Sequence, residues 1–249
     1  MFPRDRQASR KARRMSSQFD AEFLGRETCG TDVVTTRFSR PAGFSFVAGQ
    51  WMLLSLLMGD ERLTETFTIC SAPSDDYLEI TTRLTGSAFK TALTGLVSGD
   101  CVQVAGPSGR LELPRDFARV GFLVGGVGIT PVRSMLREAV AAGRVFQDAL
   151  LVYANRDASC VPFLGEFALM ASNGVRMVLC YEEPSQGWTG ESGLITAEMV
   201  RRYLRPGEDD RTFIATGPPQ MVGAMERVLD ELGVPTERRI IERFGSKPS

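Results

Sequence analysis

Val120-Gly-Phe-Leu-Val-Gly-Gly-Val-Gly-Ile-Thr-Pro131 writes a buried strand, a glycine turn and a helix start into one short stretch. Phe122, Leu123 and Val124 have the unbroken apolar character of a strand covered on both faces, as in a parallel sheet between helix layers. Gly125, Gly126 and Gly128 let the backbone turn sharply and come close to a ligand. Thr130 is placed to cap the next helix, and Pro131 takes its first position, where a missing N–H costs nothing. Val132, Met135, Leu136, Ala139 and Val140 then repeat along one helical face, and Gly143 closes it. The free N–H groups and positive dipole end of this helix point at the turn, so a pyrophosphate is its natural occupant. The glycine spacing is not the usual dinucleotide fingerprint. The next strand, 149–153, ends in Asn155-Arg156 where that fingerprint has a carboxylate.

The remaining composition narrows the chemistry. With 249 residues and 43% hydrophobic content, the chain can bury the cores of two ordinary domains. Its net charge of -1 gives no global drive toward nucleic acid or membranes. No apolar run approaches the ~20 residues needed to span a bilayer. Histidine is absent, which removes every imidazole-based triad and the usual zinc or haem ligand. A cofactor is therefore expected to carry the chemistry. Cys29, Cys70, Cys101, Cys160 and Cys180 lack the paired spacing of a metal site and read as reduced packing residues of a cytoplasmic protein. Residues 1–18 form an expected disordered basic tail, with Arg4, Arg6, Arg10, Lys11, Arg13 and Arg14 crowding its start. An organellar targeting segment and a start codon set ahead of Met15 are both open readings of it.

Two patterns divide the rest. Residues 19–113 read as an antiparallel Greek-key β-barrel, with strands over 33–38, 50–57, 63–69, 77–84 and 102–104 and a short helix over 88–96. Residues 117–249 read as an α/β domain with a doubly wound parallel sheet. Its strands fall at 120–124, 149–153, 175–181, 212–215 and 239–243, and its helices near 131–142, 162–171, 196–204 and 219–232. The linker is expected around Leu113-Pro-Arg-Asp116.

Three further segments join the glycine turn: Glu65-Thr-Phe-Thr-Ile-Cys-Ser-Ala-Pro73, Arg83-Leu-Thr-Gly-Ser-Ala-Phe-Lys90 and Thr216-Gly-Pro-Pro-Gln-Met221. Together, in order and layout from about Phe38 to Phe244, they resemble the ferredoxin-NADP reductase family. That resemblance implies a FAD-binding barrel followed by an NAD(P)-binding domain, with hydride passing from NAD(P)H to flavin N5. Phe67 would pack along the isoalloxazine and Thr68 would bond its N5 or O4 edge. Backbone N–H groups from Gly86, Ser87 and Ala88 into the helix would cradle flavin phosphate. Gly125, Gly126, Gly128, Thr130 and Pro131 would hold the nicotinamide nucleotide's pyrophosphate, and Gly217, Pro218 and Met221 its nicotinamide end. Glu242 and Phe244 match the family's acidic and aromatic residues beside the flavin.

The sequence departs from the family in two places. Glu65 stands where an arginine usually meets flavin phosphate, so Arg83 and Lys90 become the candidate cations. Thr216 stands where a cysteine usually approaches nicotinamide C4. At the adenosine end, Asn155 and Arg156 favour NADPH over NADH, since an arginine can pair with the 2′-phosphate. The implied acceptor is separate: a ferredoxin, a flavodoxin or an oxygenase component. Free-flavin or ferric-chelate reduction, and a non-turnover electron-relay or regulatory subunit, remain alternatives.

Overall fold

The computed structural model describes residues 18–113, 119–205 and 210–244. The basic tail expected over 1–18 therefore falls outside the described residues except for Gln18, which is already in a strand. Most of the expected linker, 114–116, and the tail 245–249 also lie outside them.

The first unit is a curled six-stranded antiparallel sheet, a half-barrel. Its strands are β1 (Gln18–Cys29), β2 (Val33–Ser39), β3 (Trp51–Met58), β4 (Glu61–Thr68), β5 (Tyr77–Arg83) and β6 (Cys101–Ser108). Their order in the sheet is β4-β3-β6-β1-β2-β5. The curl brings the two edges together just past β4, where Cys70 N–H donates to Glu79 O at 2.8 Å. Phe38, Met52, Leu54, Ile69, Leu78 and Ile80 fill the interior from alternate strand positions. Helix α1 (Ala88–Gly95) closes one end by burying Phe89 and Leu93. β1 lies ahead of the first strand expected from the sequence, although Phe19, Ala21 and Phe23 carry the alternation of a half-buried strand.

The second unit contains β7 (Arg119–Gly125), α2 (Thr130–Ala141), β8 (Asp148–Asn155), α3 (Leu164–Leu169), β9 (Val175–Tyr181), the two-residue β10 (Glu191–Ser192), α4 (Ala197–Tyr203), β11 (Thr212–Gly217), α5 (Pro219–Glu231) and β12 (Arg239–Arg243). All pairings are parallel in the order β10-β9-β8-β7-β11-β12. The chain winds outward from β7 through β8 to β10, then crosses back to β11 on the other side of β7. The carboxyl ends of β7 and β11 thus flank the topological switch point, where open α/β sheets bind ligands. Their register places Thr216 beside Val124.

Helix α2 docks this sheet on the half-barrel. Arg133, only 4% exposed, donates to Glu79 Oε2 at 2.6 Å and Cys70 O at 3.1 Å, and its other side grips Glu166 at 2.7 Å. Ser134 Oγ donates to Ser71 O at 2.6 Å, and Arg137 pairs with Asp75 at 2.8 Å. Buried charges of this kind are tolerable only when fully paired, so the network fixes one docking geometry. The cysteines require a correction: Cys29 and Cys160 form a disulfide between the two units, with Cα atoms 5.2 Å apart. Cys70, Cys101 and Cys180 are free, and burial pushes the Cys70 thiol up to about 11.

Candidate active site

The glycine turn is a 3₁₀ turn, Gly126–Ile129, that runs directly into α2. Its glycines serve different needs. Gly126 has φ +49°, a conformation that a side chain disfavours. Gly128 has no such need, but a Cβ there would lie 2.5 Å from Thr216 O. Glycine there lets the turn press against β11. Thr130 also differs from expectation. The cap position falls to Ile129, which has no side-chain cap bond, and the Thr130 hydroxyl donates to Val127 O at 3.0 Å. Pro131 begins the helix as expected. Tyr153, buried at the end of β8, donates to Gly126 O at 3.1 Å and holds the turn from behind.

Thr216 is fully buried, and its hydroxyl donates to Gly128 O at 2.6 Å. The side chain expected beside a nicotinamide is thus committed to bracing the turn. Beside it lie Gly217, whose carbonyl accepts from Phe244 N–H at 2.8 Å, and Met221, whose sulfur packs near Gly125 and Gly217. Pro218 caps α5 and Pro219 opens it. Glu242 is in register with Thr216 on β12. Burial pushes its carboxyl up to about 7.

On the half-barrel side, Phe67 is the penultimate residue of β4, with its ring 5.4 Å from that of Phe89. Thr68 follows, partly exposed, and no side-chain hydrogen bond among the described residues engages it. Gly86 adopts φ +73° ahead of Ser87, whose hydroxyl accepts from Lys90 N–H at 3.3 Å and so caps α1. The N–H groups of Ala88 and Phe89 are left pointing out of the first turn. An added Cβ at Gly86 would meet nothing within 4 Å, so that approach is open.

Both cations expected to meet flavin phosphate already have partners. Lys90, 8% exposed, pairs with Glu65 at 2.7 Å. Arg83 pairs with Asp32, a residue on the β1–β2 turn that the sequence reading did not single out. The departure at Glu65 is thus matched from within the site: strand carboxylate and helix lysine neutralise each other where the family has an arginine. Thr68, with an unengaged hydroxyl, and the α1 backbone N–H groups suit a flavin's polar edge and phosphate, whereas Phe67, expected as the wall, is buried in the half-barrel core against Phe89 and Lys90. The site offers little net positive charge.

β8 ends at Asn155, and Arg156 follows it directly. Asn155 is buried at the end of β8 with its side chain beside the Tyr153 hydroxyl, and among the described residues its Nδ2 makes no hydrogen bond of good geometry. Arg156 is exposed and pairs with Asp157 at 3.1 Å. Asp157 also accepts from Ser159 N–H at 2.7 Å, and these bonds hold its carboxyl down at about 2. Among the described residues, no group of His, Cys, Asp and Glu could hold a metal ion.

Comparison with known proteins agrees with this arrangement. Residues 18–113 match a FAD-binding domain, and residues 122–227 match an oxidoreductase NAD-binding domain. Together they define a flavin- and nicotinamide-binding oxidoreductase. The chain thus carries a FAD-binding domain followed by an oxidoreductase NAD-binding domain, in the fold of ferredoxin-NADP reductase-like proteins. NADH-cytochrome b5 reductase 1 of Aspergillus terreus is 30% identical over 156 residues, 59% of this chain and 53% of that one. NADH-cytochrome b5 reductase 2 of Gallus gallus is 24% identical over 254 residues, 88% of this chain and 84% of that one. The chain spans about half the length of the first curated relatives it matches. A ferredoxin NADP+ reductase from Neisseria gonorrhoeae with bound FAD and NADP shares the fold at TM-score 0.79 and 20% identity, covering 91% of this chain and 98% of that one. The cytochrome b5 reductase domain of Ulva prolifera nitrate reductase does so at TM-score 0.77 and 22% identity, covering 91% and 97%.

Proposed function

We propose that the chain is an NAD(P)H-dependent flavoprotein reductase that hands electrons to a separate acceptor protein in the cytoplasm. The observation that carries this reading is the placement of the glycine turn. It lies at the switch point of the parallel sheet and is held by the Arg133–Glu79 clamp against the half-barrel that bears Phe67 and Thr68. Bound FAD would supply a hydride acceptor that can release electrons one at a time. The protein's own contribution is positional. The turn and Asn155 would bind the nucleotide, Phe244 would exclude water from the ring, and Thr68 would orient the ring's polar edge. Glu242, with its carboxyl near 7, can hold or release a proton at neutral pH.

NADH is the donor we favour, reversing the expectation drawn from Arg156. The Arg156 guanidinium is engaged by Asp157, and a carboxylate beside the ribose suits two hydroxyls better than a 2′-phosphate. Relatives named NADH-cytochrome b5 reductase support that choice, and they support cytochrome b5 as the acceptor class. The Glu65–Lys90 pair keeps a second reading in view. A site with so little net charge can release FAD, as a reductase of free flavin does. Steady-state kcat/KM for NADH and NADPH, with cytochrome b5, a ferredoxin, free flavin and a ferric chelate as acceptors, tests both. A preference for NADPH, or turnover with free flavin alone, rejects the favoured form.

A further inference from the structure

The Cys29–Cys160 bridge joins the β1–β2 hairpin of the half-barrel to the loop that follows β8. Cys29 ends β1, opposite Val33 across the hairpin turn Gly30-Thr31-Asp32. Cys160 lies in the loop that leaves β8 through Asn155, Arg156 and Asp157. The two segments touch closely, since a Cβ on Gly30 would lie 2.9 Å from Cys160 Cβ. Two residues beyond Cys160, Pro162 O accepts from the same Tyr153 hydroxyl that holds Gly126 O. The disulfide therefore ties the half-barrel's hairpin to a loop that is itself coupled to the glycine turn.

The hairpin carries Asp32 into this position. Its carboxylate pairs with Arg83, and the Arg83 guanidinium reaches to 3.9 Å from where a Cβ on Gly126 would stand. In the bridged protein an acid thus engages the arginine whose guanidinium lies beside the glycine turn. Both cysteines are partly exposed, so a soluble thiol can reach the bond.

We propose that Cys29–Cys160 is a thiol–disulfide switch on nucleotide access, closed when bridged and open when reduced. The inference rests on reading the glycine turn as the NAD(P)H site. A dithiol reductant supplies the two electrons. One of its thiolates attacks a bridge sulfur to give a mixed disulfide and a freed cysteine. Its second thiol then displaces the other cysteine, leaving two protein thiols and one oxidised dithiol. Release of the turn lets Asp32 leave Arg83, which becomes available to the pyrophosphate. A reducing compartment keeps the site open, and an oxidising episode shuts it.

The test uses the full chain loaded with FAD in three forms: bridged, treated with dithiothreitol, and Cys29→Ser/Cys160→Ser. Alkylation under denaturing conditions, read by mass, should label the three free cysteines of the bridged form and all five after reduction. NADH titration should give a Kd at least about fivefold lower in the reduced and double-serine forms, the low end of ordinary coupling between sites. Asp32→Asn should bind as tightly when bridged as when reduced. Five labelled thiols before reduction overturn the bridge. An equal Kd in all forms overturns the switch and leaves the reductase reading intact. No binding in any form removes both.

Discussion

Lys90 Nζ stands 2.7 Å from Glu65 Oε2 and 4.2 Å from the centre of the Phe67 ring. One side chain thus links the expected flavin wall to the residue that most clearly departs from the family pattern. Neutralising Glu65 should free the cation for phosphate, and neutralising Lys90 should strand a partly buried carboxylate beside it. Glu65→Gln is expected to tighten FAD binding several-fold. Lys90→Met is expected to weaken it about tenfold or more, roughly 1.4 kcal/mol. The double variant should fall between them. Flavin retention on gel filtration and a fluorescence Kd check the order; FAD binding unchanged in both single variants contradicts it.

Gly128→Ala should damage both the turn and the strand it leans on. The new methyl would meet the Thr216 carbonyl at 2.5 Å, and backbone cannot swing aside as a side chain does. Overpacking of this kind costs about 1–3 kcal/mol. The expected signature is a lower Tm together with a raised KM for the nicotinamide donor, while flavin binding on the other domain is kept.

Arg133→Met should uncouple the domains. Glu79 is 3% exposed and would keep only Arg37, while Glu166 would keep only Arg137. Removing one partner of a buried pair costs about 3–5 kcal/mol. Urea denaturation should show that loss and separate into two transitions, one per domain, where the parent protein shows one.

The glycine turn, the order of the two domains and nearly every strand were legible because each rests on local signals: apolar runs, alternation and helix punctuation. β1 was missed although Phe19, Ala21 and Phe23 alternate, because Asp20, Glu22, Arg26 and Glu27 make the segment look solvated. The site was legible as a set of segments and less so as a set of roles. Thr216 turned inward to Gly128, Lys90 closed on Glu65 and Arg83 on Asp32, pairings that no spacing encodes. Cys29 and Cys160 are 131 residues apart, and only the docking of one domain on the other brings them together. Helix capping by Thr130 failed for a local reason, since the 3₁₀ turn already supplied the geometry that a cap would have provided.

Glu242 gives the protein a pH dependence of defined sign. Its folded carboxyl, raised to about 7 by burial, holds a proton that the unfolded chain releases near about 4.3. Its contribution therefore lowers stability as pH rises from about 4.5 to about 7. Glu242→Gln should flatten that slope in pH-dependent denaturation. The same variant should remove a limb with an apparent pKa near 7 from the pH profile of kcat.

Anaerobic mixing of the FAD-loaded protein with NADH, followed at the flavin absorption band, tests the central claim most directly. Two-electron bleaching of the flavin at a rate that saturates with NADH, and less efficiently with NADPH, is the predicted result. A protein that takes up no FAD, or whose bound flavin stays oxidised under excess of either nucleotide, would contradict the assignment.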